Sequence, residues 1–169
     1  MFFEPNLYNR CMRYLFELFH NPILMSAVSA WFVAQIMKAI LHTALTRNFV
    51  AERLIGTGGM PSSHSATVTG LATAVFIKCG PQSVDFALAA ALAIIVMYDA
   101  LGIRRQAGKH AQVLNEMMDT MERMDQIDWS NLSPDDRLKE FLGHTPLQVI
   151  VGIIIGIFLA CLICLKVLP

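Results

Sequence analysis

The sequence predicts an all-α fold: a polytopic membrane helix bundle of four spans with an amphipathic helical insertion between spans three and four. Two observations carry that expectation. The chain of 169 residues is 55% hydrophobic and 15% charged, whereas an ordinary soluble domain is about 25% charged. Four apolar stretches also approach the roughly 20 helical residues needed to cross a hydrocarbon core about 30 Å thick. One membrane domain is expected over residues 1–169, a length that does not comfortably hold two. Formal net charge is zero, so nucleic acid is not an expected partner. The first twenty residues include Glu4, Arg10, Arg13, Glu17 and His20 and lack a compact apolar core before a cleavage site. No cleaved signal peptide is therefore expected.

The spans are expected over residues 22–46, 61–77, 84–103 and 146–167. Lys38 interrupts the first, and Asp99 lies near the end of the third. Pro61 and Pro146 suit a first helical turn, where the N–H that proline lacks would be unpaired anyway. Cys79-Gly80-Pro81-Gln82-Ser83 forms a tight link between the second and third spans. In the fourth, Gly152-x-x-x-Gly156 permits close approach of helix backbones. Residues 106–143 form the insertion. Val113, Met117, Met121 and Met124 recur there at helical spacing among Glu116, Asp119, Glu122 and Asp125. That pattern predicts an amphipathic helix on the membrane or over the bundle, with a methionine-lined substrate groove as the alternative. Ser133-Pro134-Asp135-Asp136 reads as the cap of a short second helix stopped at Gly143. Cys161 and Cys164 make a C-x-x-C spacing inside an apolar run without a partner pair, which favours small packed side chains over a zinc or redox site. No metal and no cofactor is expected, and oligomeric state has no signature in the sequence.

Four spans bring the end of the first, the start of the second, the end of the third and the start of the fourth to one face. That face receives Arg47, Arg53, the stretch from Gly58 to His64, Asp99, Arg104, Arg105 and His144. Outside Lys38, eight lysines and arginines fall on this side and four on the other, which places it in the cytoplasm by the positive-inside rule. An ionisable residue within a span marks function by default. Lys38 either faces the interior or snorkels to the interface. Asp99 stands within reach of Arg104 or Arg105, so a structural ion pair is the alternative to a chemical role. Gly58-Gly59-Met60-Pro61-Ser62-Ser63-His64-Ser65 combines glycines, hydroxyls and a helix start, whose free N–H groups and dipole suit phosphate. Serine-rich capping alone would need neither the glycines nor the histidine. His144 opens the fourth span, either as an interfacial anchor or as a nucleophile beside the phosphate cradle. Two histidines, several cations and a helix N-terminus together suit phosphoryl transfer without metal.

These residues resemble the phosphatidic acid phosphatase type 2 superfamily, and more closely its divergent small bacterial branch, related to the acid phosphatase and vanadium-dependent haloperoxidase group. The resemblance rests on Gly-Gly-Met-Pro-Ser-Ser-His-Ser-Ala, on the run from Asp99 to Gly108, and on Leu-Gly-His-Thr-Pro around His144. It implies phosphate contacts from Ser62 and Ser63, His64 as general acid and His144 as the nucleophile. Lys38 and Arg47 approximate the superfamily's first motif, at a different spacing and without its proline. The third motif's arginine is absent at its usual spacing, where Leu138 stands. Arg104 or Arg105 is expected to replace it, with the insertion intervening. The motif's aspartate is replaced by Gln148, which can accept the same imidazole N–H bond and supplies no charge. In a comparable triad, loss of that carboxylate costs about 10⁴ in kcat. Asp99 is the other candidate orienter.

The implied function is metal-independent hydrolysis of a phosphomonoester or pyrophosphate on a membrane lipid, through a phosphohistidine, by a multi-pass protein of the cell membrane. The alternative is a non-catalytic protein that binds or transports phospholipid headgroups with the same pocket. A vanadate-holding peroxidase is disfavoured, because those relatives are soluble.

Overall fold

Asn21 starts the first membrane helix: its Oδ1 accepts the N–H groups of Ile23 and Leu24 at 2.9 and 3.2 Å, and Pro22 follows at the first helical position. The computed structural model describes residues 7–47, 59–124, 138 and 143–166, and helices are the regular elements throughout. They are α1 (Leu7–Phe19), α2 (Pro22–Thr46), α3 (Ser63–Cys79), α4 (Val84–Leu101), α5 (Ile103–Arg123) and α6 (Pro146–Lys166). The Ser133–Asp136 cap expected from the sequence lies outside the described residues, as do Arg53 and Gly58.

Helix α3 is the centre of the bundle, packed against α2, α4 and α6. Its closest neighbour is α6, for a reason legible in two glycines. A Cβ on Gly156 would run into Thr69 Oγ1, the Ala66 carbonyl and the Gly70 N–H, and one on Gly152 into the Ser62 carbonyl and the Ser65 side chain. The core is built from small side chains. Ala30, Ala34 and Ala66 form one fully buried cluster, and Ala74, Ala160 and Cys164 another. Large apolar residues point outward instead, among them Trp31, Phe32, Leu88, Ile94, Ile154 and Phe158. A soluble domain buries such residues; small residues inside and large ones outside is the arrangement of helices packed in lipid.

Three stretches are long and apolar enough to cross a membrane: Pro22–Thr46, Val84–Met121 (α4 continuing into α5) and Pro146–Leu165. The expectation of four spans is corrected at its second member. At 17 residues, α3 rises about 25 Å, and it carries Ser63, His64, Ser65, Thr67, Thr69 and Thr73. Enclosed by three neighbours, it needs no broad lipid-facing surface. Other boundaries shift as well. Pro61 precedes the N-cap Ser62 instead of occupying the first turn, and the Met60–Pro61 bond is cis. The third span ends at Leu101, where Gly102 breaks the helix. Arg104 and Arg105 therefore open α5 rather than close α4, and the amphipathic segment begins at Ile103.

Helix α1 has no counterpart among the expected elements. It leaves Leu15, Phe16, Leu18 and Phe19 exposed beside Arg10, Arg13 and Glu17, with an Arg13–Glu17 ion pair at 3.5 Å. Such a helix suits the membrane interface next to the start of α2.

Candidate active site

The entrance to α3 is built on Gly59, whose φ of +83° suits a residue without a Cβ. A Cβ there would stand 3.4 Å from Lys38 Cγ, so the glycine backbone lies directly over the lysine stem. Ser62 then caps the helix. Its Oγ accepts the Ser65 N–H at 3.3 Å and the Ser65 hydroxyl at 3.0 Å, and the residue is fully enclosed. Ser62, expected as a phosphate contact, is thus occupied as a cap. Ser63 is also buried, while His64 is half-buried one residue further on.

The entrance to α6 is built on Gly143, again with φ +83°. It rests on the backbone of Arg104 and Arg105 with no room for a side chain. The His144 N–H donates to the Ala100 carbonyl at 3.0 Å, tying the segment to the end of α4. The Ser62 N–H donates to the Gln148 carbonyl at 3.0 Å, tying the entrances of α3 and α6 together.

Gln148 determines the proton positions on His144. Its Oε1 accepts the Thr145 N–H at 3.0 Å and lies 3.2 Å from His144 Nδ1. A backbone N–H can only donate, so the atom facing it is the amide oxygen. An oxygen facing Nδ1 requires that nitrogen to carry the proton. In the neutral ring Nε2 then holds the lone pair.

The rings of His64 and His144 meet, with centroids 5.9 Å apart and planes inclined at 59°. Lys38 is buried, at 3% exposure, although it sits in a membrane helix. Asp99 pairs with Arg104 at 2.6 Å, so Arg104 and not Arg105 is its ion-pair partner. Burial pushes the pKa of His64 below its ordinary value, the charges of Arg104 and Lys38 push it the same way, and Asp99 opposes them. Burial pushes the pKa of His144 below 6.5; the Gln148 hydrogen bond opposes this, and His64, Lys38 and Arg104 reinforce it. The balance favours the neutral imidazole.

Not every expected residue gathers here. Arg47 is the exposed C-cap of α2, in the left-handed region at φ 56°. Arg105 is exposed and meets the site through its backbone against Gly143. Among the described residues, neither is one of the charges acting on the two rings. Asp99 serves Arg104 and acts on His64, and Gln148 is the side-chain partner of His144.

Two features have no forerunner among the expected site residues. A cavity of about 280 Å³ beside the histidines is lined by Lys38, Leu41, His42, Leu45, Gly59, Met60 and Gln148. One turn deeper along α2, Gln35 is buried with an unpaired Oε1. A glutamine among alanines was the available signal for the second; the cavity had none, because it is made by the meeting of three elements. On α5, the expected apolar face forms a separate groove along Val113, Glu116, Met117, Thr120, Met121 and Met124. Among the described residues, no group of three or more His, Cys, Asp or Glu side chains gathers as metal ligands would.

The model of the Divergent PAP2 family matches residues 19–159. The membrane protein YuiD of Bacillus subtilis (strain 168), described as uncharacterized, is 38% identical over 148 residues, covering 85% of this chain and 94% of that protein. No solved structure matches. The family match takes in both histidine motifs and the helices that bring them together, and the chain belongs to the Divergent PAP2 family.

Proposed function

We propose that the protein is a membrane lipid phosphatase, hydrolysing a lipid phosphomonoester or pyrophosphate through a phosphohistidine on His144. One observation carries the reading: the His64 and His144 rings lie 5.9 Å apart over the start of α3. Rings this close border a common space, where one imidazole can stand about 3–3.5 Å from phosphorus and the other within a hydrogen bond of about 2.6–3.2 Å of the leaving oxygen. His144 Nε2 attacks phosphorus while its Nδ1–H stays bonded to Gln148 Oε1. The bond from phosphorus to the leaving oxygen breaks, and His64 donates a proton to that oxygen. Water then attacks the phosphohistidine, with His64 taking up the proton, and releases phosphate. Lys38, Arg104 and the first N–H groups of α3 offset the charge on the phosphoryl oxygens. In this reading the chain is a multi-pass protein of the cell membrane with the site on the cytoplasmic face.

The test is phosphate release from a panel of lipid phosphates by the purified protein under chelation. Release is expected from the wild type and lost in His144→Ala and His64→Ala, with a trapped phosphohistidine absent from the first variant. Gln148 favours a second reading, a headgroup-binding or transport protein, because a neutral amide gives the imidazolium no counter-charge. Headgroup binding without turnover across the panel would select it.

A further inference from the structure

We infer that the cavity beside Lys38 receives a single hydrocarbon chain attached directly to the phosphate, so the ligand is an alkyl or prenyl phosphate or pyrophosphate and not a glycerophospholipid. The inference rests on the phosphate-binding reading of the two histidines and deepens it. Its first support is continuity. Lys38 and Gln148 belong both to the cavity wall and to the surroundings of His144. A tail leaving a phosphate held at the histidines therefore meets this space first.

The second support is the chemistry of the wall. Leu41, Leu45 and Met60 supply apolar surface. The polar side chains of the wall are Lys38, His42 and Gln148; Gln148 Oε1 serves Thr145 and His144, and His42 Nδ1 lies 3.5 Å from Thr46 Oγ1. A glycerophospholipid would bring two ester carbonyls to this position, and a carbonyl set against Leu41, Leu45 or Met60 would lose water without gaining a donor. A prenyl or alkyl phosphate is hydrocarbon from its first carbon.

Size and exit give the third support. At about 280 Å³ the space falls just under the range of roughly 300–1,000 Å³ typical of small-molecule pockets, room for part of one chain and not for glycerol with two. Leu45 at 83% exposure and Leu41 at 37% form its outer edge on α2, which faces lipid. The rest of a long tail continues into the bilayer there.

The experiment measures equilibrium binding of phosphonates, which cannot be hydrolysed, to the full chain in detergent. Farnesyl phosphonate is compared with butyl phosphonate and with the phosphonate analogue of dioleoyl phosphatidate. The farnesyl compound should bind about tenfold or more tighter than either, as burial of several methylenes requires. Leu45→Trp and, separately, Leu41→Trp should shrink the ratio of farnesyl to butyl affinity; Leu45 is exposed enough that the fold tolerates the larger ring. Equal or tighter binding of the diacyl analogue, a ratio unmoved by both substitutions, or no binding at all would overturn the inference. Turnover of the corresponding phosphates is read in parallel. Farnesyl preference without turnover removes the phosphatase reading and leaves the cavity assignment, whereas turnover of phosphatidate without farnesyl preference does the reverse.

Discussion

A neutral amide in the place of a carboxylate changes what His144 experiences as it becomes an imidazolium. Gln148 holds the ring by the same hydrogen bond, which favours the protonated form, yet it supplies no negative charge. If His144 is the nucleophile, its protonated form cannot attack, so kcat/KM should fall on the acid side with a midpoint below 6.5, the direction in which burial moves this group. Gln148→Glu keeps an oxygen for the Thr145 N–H and adds the missing charge. The acid limb should then move to higher pH, because a neighbouring anion favours the protonated ring, and kcat should rise by about tenfold or more, within the roughly 10⁴ that such a carboxylate is worth elsewhere. A pH–rate profile of both proteins checks each sign. Asp99→Asn makes a second test. The Asp99–Arg104 pair is half exposed, with side chains at 36% and 48%, so its loss should cost only about 0–1 kcal/mol of stability. Activity should fall further, by about 10- to 100-fold, if the pair positions Arg104 against phosphate. Arg104→Ala should be at least as severe, while Arg105→Ala should retain most activity. Intact activity in both alanine variants would remove an arginine from the mechanism.

At the scale of elements, the α3–α6 seam is the most exacting contact in the molecule, since two glycines let backbone lie on backbone. Gly156→Ala should destabilise the protein by about 1–3 kcal/mol, the usual cost of overpacking, read as a lower midpoint of thermal unfolding in detergent. The same change at Gly80, where an added Cβ would meet nothing but φ is +85°, should act through backbone strain alone. These elements were unevenly legible in the sequence. Long apolar runs bounded by Asn21-Pro22 and Thr145-Pro146 announce α2 and α6, because span length and capping are local properties. The end of α4 was not legible, since Gly102 could as well have been carried within a helix. Without that break, the turn in which Arg104 faces Asp99 and Arg105 faces away cannot be assigned. Ser62 shows the same limit: a serine before a helix reads equally as cap or ligand, and only the closure of α6 over it decides.

For the molecule as a whole, the polar chemistry sits at one end, and the turn between α3 and α4 at the other. Cys79 is exposed at that turn. If the site faces the cytoplasm, a membrane-impermeant maleimide should label Cys79 in intact cells and should not label Arg47→Cys until the membrane is opened; the reverse pattern would invert the orientation. The one-sided gathering of His64, His144, Lys38 and Arg104 was legible because α2, α3, α4 and α6 run back and forth, which brings the end of α2, the start of α3, the end of α4 and the start of α6 together whether or not α3 itself meets lipid. Their mutual distances were not, because they depend on how closely alanine and glycine surfaces settle. Chain length between Arg104 and His144 is another matter. The His144 N–H is fastened to the Ala100 carbonyl and Gly143 to the arginine backbone, so the polypeptide must return to the same anchor however far it travels in between. A family can therefore lengthen or shorten that excursion freely, and a rigid count of residues between arginine and histidine will miss relatives in which the encounter itself survives.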